Sequence, residues 1–418
     1  MTARLVCALV AALATIASAE AANGPPPGVV PDHYIVVLRD GTPDPPVVAQ
    51  DLGRRHGLAV GHVYANALKG FAARIPAGAL AAVARDPRVD FISEDREVVG
   101  FQQTAPTGIR RIGAAHKTNT GFHVNVAVVD TGIDPTHPDL QSAIVGGKNC
   151  STGTSYADGN GHGTHVAGII AARNNGFGVV GVAPDALLWS VRVLDSAGSG
   201  TWSSVICGVD FVNSKSPAKR GPIVVANLSL GGAGTDDRNC GRTNRDALHK
   251  AICTTVADGV TFVVAAGNSA TDLSGFVPAA YDEVLAVTAL ADSDGLPCGA
   301  GAVTSYGADD RFASFSNYAA STDLGHVMAA PGVSILSTYA GGGYATLSGT
   351  SMASPHVAGA AALYLATHSG ASPATVRQAL RGAGEPVDVN FLSECPGGVS
   401  HTDTSGRHPE PVARVEAF

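Results

Sequence analysis

The sequence predicts an α/β protein: a mainly parallel central sheet covered by helices, preceded by a small α+β unit. Three observations carry this reading. From residue 112 onward, apolar strand-like runs alternate with helical patterns, the mark of βαβ units whose sheet is buried on both faces. Residues 33–97 instead follow a β-α-β-β-α-β order, that of a ferredoxin-like unit. The 418 residues are 45% hydrophobic and only 15% charged, which excludes long disorder and allows one large core plus a smaller one.

In the small unit, residues 33–39 read as a strand, 47–56 as a helix and 63–75 as a pair of strands. An alanine-rich helix at 78–85 and a strand at 89–94 complete it. A linker at 21–31, with Pro25-Pro26-Pro27, comes before, and a looser stretch at 100–108 comes after. In the large unit the clearest strands are 124–130, 187–194, 223–228, 261–266 and 283–288. The helices are 162–173, 202–213, 246–258, 352–367 and 372–382; in the last, Ser372 can cap, Pro373 takes the first position and Gly382 stands near the end. Residues 383–418, rich in Gly, Pro and Ser, read as an irregular closing tail.

The 51 glycines follow no three-residue period, so collagen is excluded and many tight turns are implied. A net charge of −8 without a basic cluster leaves no footprint for nucleic acid. At the N-terminus, Arg4, the apolar run 5–16 and Ala17-Ser18-Ala19 form a signal-peptide pattern too short to span a membrane, so secretion is expected. Of seven cysteines, Cys7 lies in that leader and six remain for an oxidising compartment. Cys240 with Cys253 is the expected pair, because they flank a short turn and helix.

Four features carry chemistry. The strand 124–130 ends in Asp130, at the sheet edge where α/β proteins bind ligands. His162 and His165 open a helix of small residues in GHGTHVAG. A zinc site is disfavoured because H-E-x-x-H is not matched and no third ligand is spaced to complete it, so His165 reads as structural while glycine-flanked His162 is free to face a cleft. In GTSMASPHVAG, Ser351 sits in the first turn of a buried helix, whose amides and dipole favour the negative charge of a tetrahedral acyl intermediate. It does not match the G-x-S-x-G elbow of α/β-hydrolases. Gly267-Asn268 ends another strand with a side-chain amide. Singly, each could be a turn former or a helix cap. Together they place a carboxylate, an imidazole, an amide and a hydroxyl at strand ends and helix starts.

With these motifs the sequence resembles the subtilisin-like serine proteases, on the side of the secreted proteinase K type. The resemblance covers residues 105–382, and residues 34–95 resemble the family's inhibitory propeptide. It implies a three-layer fold and a serine endopeptidase with Asp130, His162 and Ser351 as triad and Asn268 in the oxyanion hole. It implies an extended peptide held between Ser199-Gly200 and Ser229-Leu230-Gly231, with Trp202 as a rim, Gly267 beside the cleft and Phe276 at the floor of the primary pocket. It also implies a structural Ca²⁺ on Gln103, Asp139, Arg173, Asn175, Phe177 and Val179, all oxygen donors, and no catalytic cofactor. The domain reading that follows is a signal at 1–19, a linker and propeptide at 20–101, a peptidase domain at 102–382 and the tail at 383–418, with self-cleavage around 98–104. The expected partners are protein substrates and the chain's own propeptide, and the default state is a monomer. An esterase with the same triad and a non-catalytic binding module are the rival readings. The inserts at 234–244 and 291–310 fall outside the motifs.

Overall fold

The structure, a computed structural model, describes residues 29–96, 103–319, 323–388, 395, 401–403 and 405–418. The signal segment, most of the Pro-rich linker and most of the expected cleavage stretch lie outside the described residues. The chain divides into two compact units, residues 23–101 and 102–418.

The small unit runs β1 (Val29–Leu38), α1 (Pro45–His56), β2 (Ala59–Tyr64), β3 (Gly70–Arg74), α2 (Ala77–Ala84) and β4 (Val89–Arg96). Its four strands pair antiparallel in the order β2-β3-β1-β4, the ferredoxin-like arrangement. Helix α1 starts where the Asp44 carboxylate accepts the Val47 amide and Pro45 fills the first position, and it stops at left-handed Gly57. Its buried Val48 and Leu52 pack with Val36, Phe71 and Val83 to form a core of the unit's own.

The large unit opens with α3 (Thr107–Arg111), β5 (Asn125–Asp130), β6 (Ile144–Asn149), α4 (His162–Ala171), β7 (Leu187–Arg192) and α5 (Trp202–Ser214). Next come β8 (Ile223–Leu228), β9 (Gly232–Ala233), α6 (Ala247–Ala257), β10 (Thr261–Ala265), β11 (Phe276–Val277), β12 (Leu285–Ala291) and β13 (Arg311–Phe312). It closes with β14 (Val327–Pro331), β15 (Ile335–Tyr339), β16 (Gly343–Leu347), α7 (Thr350–Thr367) and α8 (Pro373–Ala383). The main sheet has the order β13-β12-β10-β8-β5-β7-β6, with β14 also on β12. Every pairing in it is parallel except β12 with β13.

Strand β5 shows why three layers form. Val126 and Val128 join the core under α4, α7 and α8, while Ala127 and Val129 join a second core under α5 and α6. Successive side chains of a strand point to opposite faces, so a continuously apolar strand needs helices on both. Helix α7 is alanine-rich and buried from Met352 through Leu365, which lets it lie flat against the strands.

Two sequence expectations are adjusted. Helix α8 runs through Gly382 to Ala383 with Gly384 as its C-cap, because Gly382 keeps helical geometry. The tail is irregular in its secondary structure but built into the fold. Val412 bridges to Ala329 and Glu385, and Val412, Ala413 and Val415 are buried. Fully buried Arg111 donates to Asp310 Oδ1 at 2.6 Å and to both Glu385 oxygens at 3.0 Å. Disulfides join Cys150–Cys207, Cys240–Cys253 and Cys298–Cys395, the second being the expected pair. Among the described residues, no helix is long and apolar enough to cross a membrane.

Candidate active site

Asp130 is the last residue of β5 and fully buried. Its Oδ1 accepts the Thr131 amide at 2.7 Å and His162 Nδ1–H at 2.8 Å. His162 reaches it because α4 begins at that residue and packs closely on the loop after β5. A Cβ on Gly163 would stand 2.2 Å from the Gly132 carbonyl oxygen, so only glycine allows the approach. Asp158 fastens the loop before α4: its carboxylate accepts from Thr131 Oγ1, Thr164 Oγ1 and the amides of Asn160, Gly161 and Thr164. Burial works against protonating His162, but the charge and hydrogen bond of Asp130, with Asp158 behind, outweigh it and raise its pKa. His165 is different. It is buried, its Nε2 contacts the Ile335 and Ala345 carbonyls, and burial pushes its pKa down to about 3, so it is a neutral structural residue.

Ser351 stands in the first turn of α7, where amide groups have no partner within the helix. Its Oγ donates to the Ser229 carbonyl at 3.3 Å. No hydrogen bond joins it to His162 among the described residues. Pro355 sits inside α7 and lacks the N–H that would bond the Ser351 carbonyl four residues back. Ser229 Oγ supplies that bond at 2.9 Å. Asn268 Oδ1 accepts both the amide and the hydroxyl of Thr350 at 2.9 Å, which fixes the side chain with Nδ2 as its remaining donor end. The Thr350 hydroxyl in turn accepts the Gly267 amide at 3.1 Å.

His162 lines a cleft of about 810 Å³ together with Ser199, Gly200, Trp202, Ser229, Leu230 and Gly231. The substrate-binding residues expected from the two edges thus share one cavity. Strand β11 pairs antiparallel with β9 and brings Phe276 against the cleft edge. A Cβ on Gly231 would lie 2.4 Å from its ring, and one on Gly267 would lie 3.0 Å from it, so the ring fills the space between those two backbones.

Residues 121–392 match the model of the subtilase family, Peptidase_S8. The chain belongs to this family. It is 40% identical over 337 residues to Subtilisin NAT of Bacillus subtilis subsp. natto, covering 78% of each chain. It is 43% identical over 282 residues to an alkaline protease of Alkalihalobacillus alcalophilus, covering 66% of this chain and 64% of that one. The crystal structure of a cold adapted subtilisin-like serine proteinase superposes with a TM-score of 0.58 at 32% identity, covering 75% of this chain and 99% of the other. The protein is a subtilisin-like serine endopeptidase.

The oxygen-bearing residues expected to hold calcium in this subtilase also come together. The Arg173 and Val179 carbonyls accept from Gln103 Nε2 at 2.6 and 3.2 Å, and Asn175 Oδ1 lies 3.5 Å from the same nitrogen. Buried Asp139 accepts from Asn175 Nδ2, the Val179 amide and the Tyr344 hydroxyl. Phe177 donates its amide to Asn175 Oδ1.

Sequence reasoning missed Asp158, Thr350 and the side-chain role of Ser229. Asp158-Gly-Asn-Gly does carry an Asx-turn signal, whereas the other two are ordinary hydroxyls until the fold places them.

The triad expected from the sequence needs a neutral His162 to accept a proton, so activity is expected to rise with pH through its raised pKa. The acid limb of kcat/KM on a peptide nitroanilide is therefore expected above 6.5, the ordinary imidazole value. Asp158→Asn should move it down. A limb at or below 6.5 in the parent enzyme contradicts this reading of the pair.

Proposed function

We propose that the chain is a secreted endopeptidase, made as a preproenzyme, that cuts peptide bonds through Asp130, His162 and Ser351. The observation that carries this is the 2.8 Å contact of His162 Nδ1 with buried Asp130 at the wall of the cleft, beside the helix start that bears Ser351. Asp130 fixes the tautomer, so Nε2 is the basic nitrogen. The Ser351 hydroxyl turns from the Ser229 carbonyl toward Nε2 and gives up its proton as Oγ attacks the scissile carbonyl. The oxyanion is held by the Ser351 amide and Asn268 Nδ2. Nε2–H then protonates the leaving amine, and water repeats the cycle on the acyl-enzyme.

The small ferredoxin-like unit has its own core, which suits a propeptide that folds as a unit, aids the peptidase domain and inhibits it until self-cleavage around residues 98–104. Ser351→Ala should lower turnover by about 10⁶-fold and Asn268→Ala by about 10²–10³-fold, magnitudes known from subtilisin itself. Casein hydrolysis and release of the propeptide report both. A parent protein that leaves casein and the propeptide uncut and does not react with a fluorophosphonate overturns the proposal, and hydrolysis of short esters alone makes it an esterase.

Phe276 between Gly231 and Gly267 shortens the primary pocket, so the residue before the cut is expected to be small. In a peptide series with Ala, Leu or Phe at that position, Phe276→Gly should raise kcat/KM for Phe over Ala by about tenfold, the scale of a few methylenes in an apolar pocket. An unchanged ratio excludes Phe276 from the pocket.

The Arg173, Val179 and Asn175 oxygens converge on the electropositive end of the Gln103 amide, and half a turn of that amide presents Oε1 instead. This donor set fits a structural calcium held by Gln103, Asp139, Arg173, Asn175, Phe177 and Val179. Chelation should lower the melting temperature, and Asp139→Asn should bind one Ca²⁺ fewer by calorimetric titration. Unchanged binding removes Asp139 from the set.

A further inference from the structure

We propose that the insertion at 291–310 holds a separate hard divalent cation, of the calcium class, on Asp292, Asp294 and Asp309. One oxygen from each carboxylate lies within 4.8 Å of the others. Asp292 and Asp309 are 1% and 4% exposed, and Asp294 is half-buried at the rim. Three carboxylates this close and this dry repel one another unless something positive stands among them.

The protein supplies that charge only in part. Arg111 is near enough to act on Asp292, against the opposing charges of Asp310 and Asp309, but its donors go to Asp310 and Glu385. The Arg110 guanidinium carbon lies 3.0 Å from where a Gly295 Cβ would be, but no ion pair from Arg110 to these carboxylates occurs among the described residues.

The hydrogen bonds leave one buried oxygen unused. Asp309 accepts from the Ser293 amide and hydroxyl on Oδ1 and from the Gly301 amide on Oδ2. Asp294 Oδ1 takes the Leu296 amide, and Asp292 Oδ1 takes the Gly295 amide at 3.0 Å. Asp292 Oδ2 is buried with no hydrogen-bond partner. A buried carboxylate oxygen without a donor is costly, and a cation shared with Asp294 and Asp309 removes that cost and the repulsion together. Oxygen-only donors favour Ca²⁺ over softer metals, and water can complete the shell from the side of half-exposed Asp294. The ion would fasten an insertion already stapled by Cys298–Cys395.

The test uses the full chain carrying Ser351→Ala to prevent self-digestion, stripped with EGTA and titrated with Ca²⁺ alone by calorimetry. Asp292→Asn, nearly isosteric, and Asp294→Asn, at the rim where folding is least at risk, are each expected to bind one ion fewer than their parent or to bind it at least tenfold more weakly. Far-UV circular dichroism should be unchanged. Either variant keeping the parent's stoichiometry and affinity overturns the site, as does a parent that binds no calcium; a proton shared among the carboxylates then accounts for the cluster. Failure of the Asp139 site would show as an unchanged Asp139→Asn titration, leaving this result to stand by itself.

Discussion

The catalytic region depends on how the start of helix α7 is satisfied. A helix buried along its length cannot leave its first-turn amides, or the carbonyl freed by Pro355, to water. The neighbours that meet those needs come from the ends of two sheet strands. Asn268, just past β10, takes the Thr350 amide and hydroxyl. Ser229, just past β8, donates to the Ser351 carbonyl. Asn227 supports Ser229 at 3.0 Å and accepts Ser354 Oγ at 2.7 Å. Satisfying the helix end and positioning the serine, the amide and the cleft edge are therefore one structural problem with one solution.

That coupling explains what the sequence made legible. The strands flanking the site are mainly apolar and end in Asp130, Leu228 and Ala265, so their ends could be read from the sequence pattern. The glycine-flanked motifs around His162 and Ser351 were equally clear, because close backbone approach admits few residues. Strand β6 (Ile144–Asn149) escaped notice because it is half-buried and carries Gly146-Gly147, which breaks any alternation. The β15–β16 hairpin also went unread, since no strand was expected over residues 335–347.

The harder part was polar. The Asx-turn signal marks Asp158 only for its nearest amides; nothing local shows that it also gathers Thr131, or that Arg111 is the partner of Asp310 and Glu385. Such pairings are set by the fold, and a sequence shows only that charges exist. The same holds for the insertion at 291–310, where Asp292 and Asp309 meet because the chain doubles back between them.

Arg111, near the start of the large unit, is tied to Asp310, Glu385 and Arg414 across 199, 274 and 303 residues of sequence, and Lys117 reaches the Val415 carbonyl across 298. The two ends of the peptidase unit thus form one buried ionic seam that holds nothing until both are in place. Chain entropy is lost before such distant contacts give anything back, and a parallel sheet adds more of the same kind. Folding of this unit is therefore expected to be slow, and the folding aid proposed for the small ferredoxin-like unit would answer that cost.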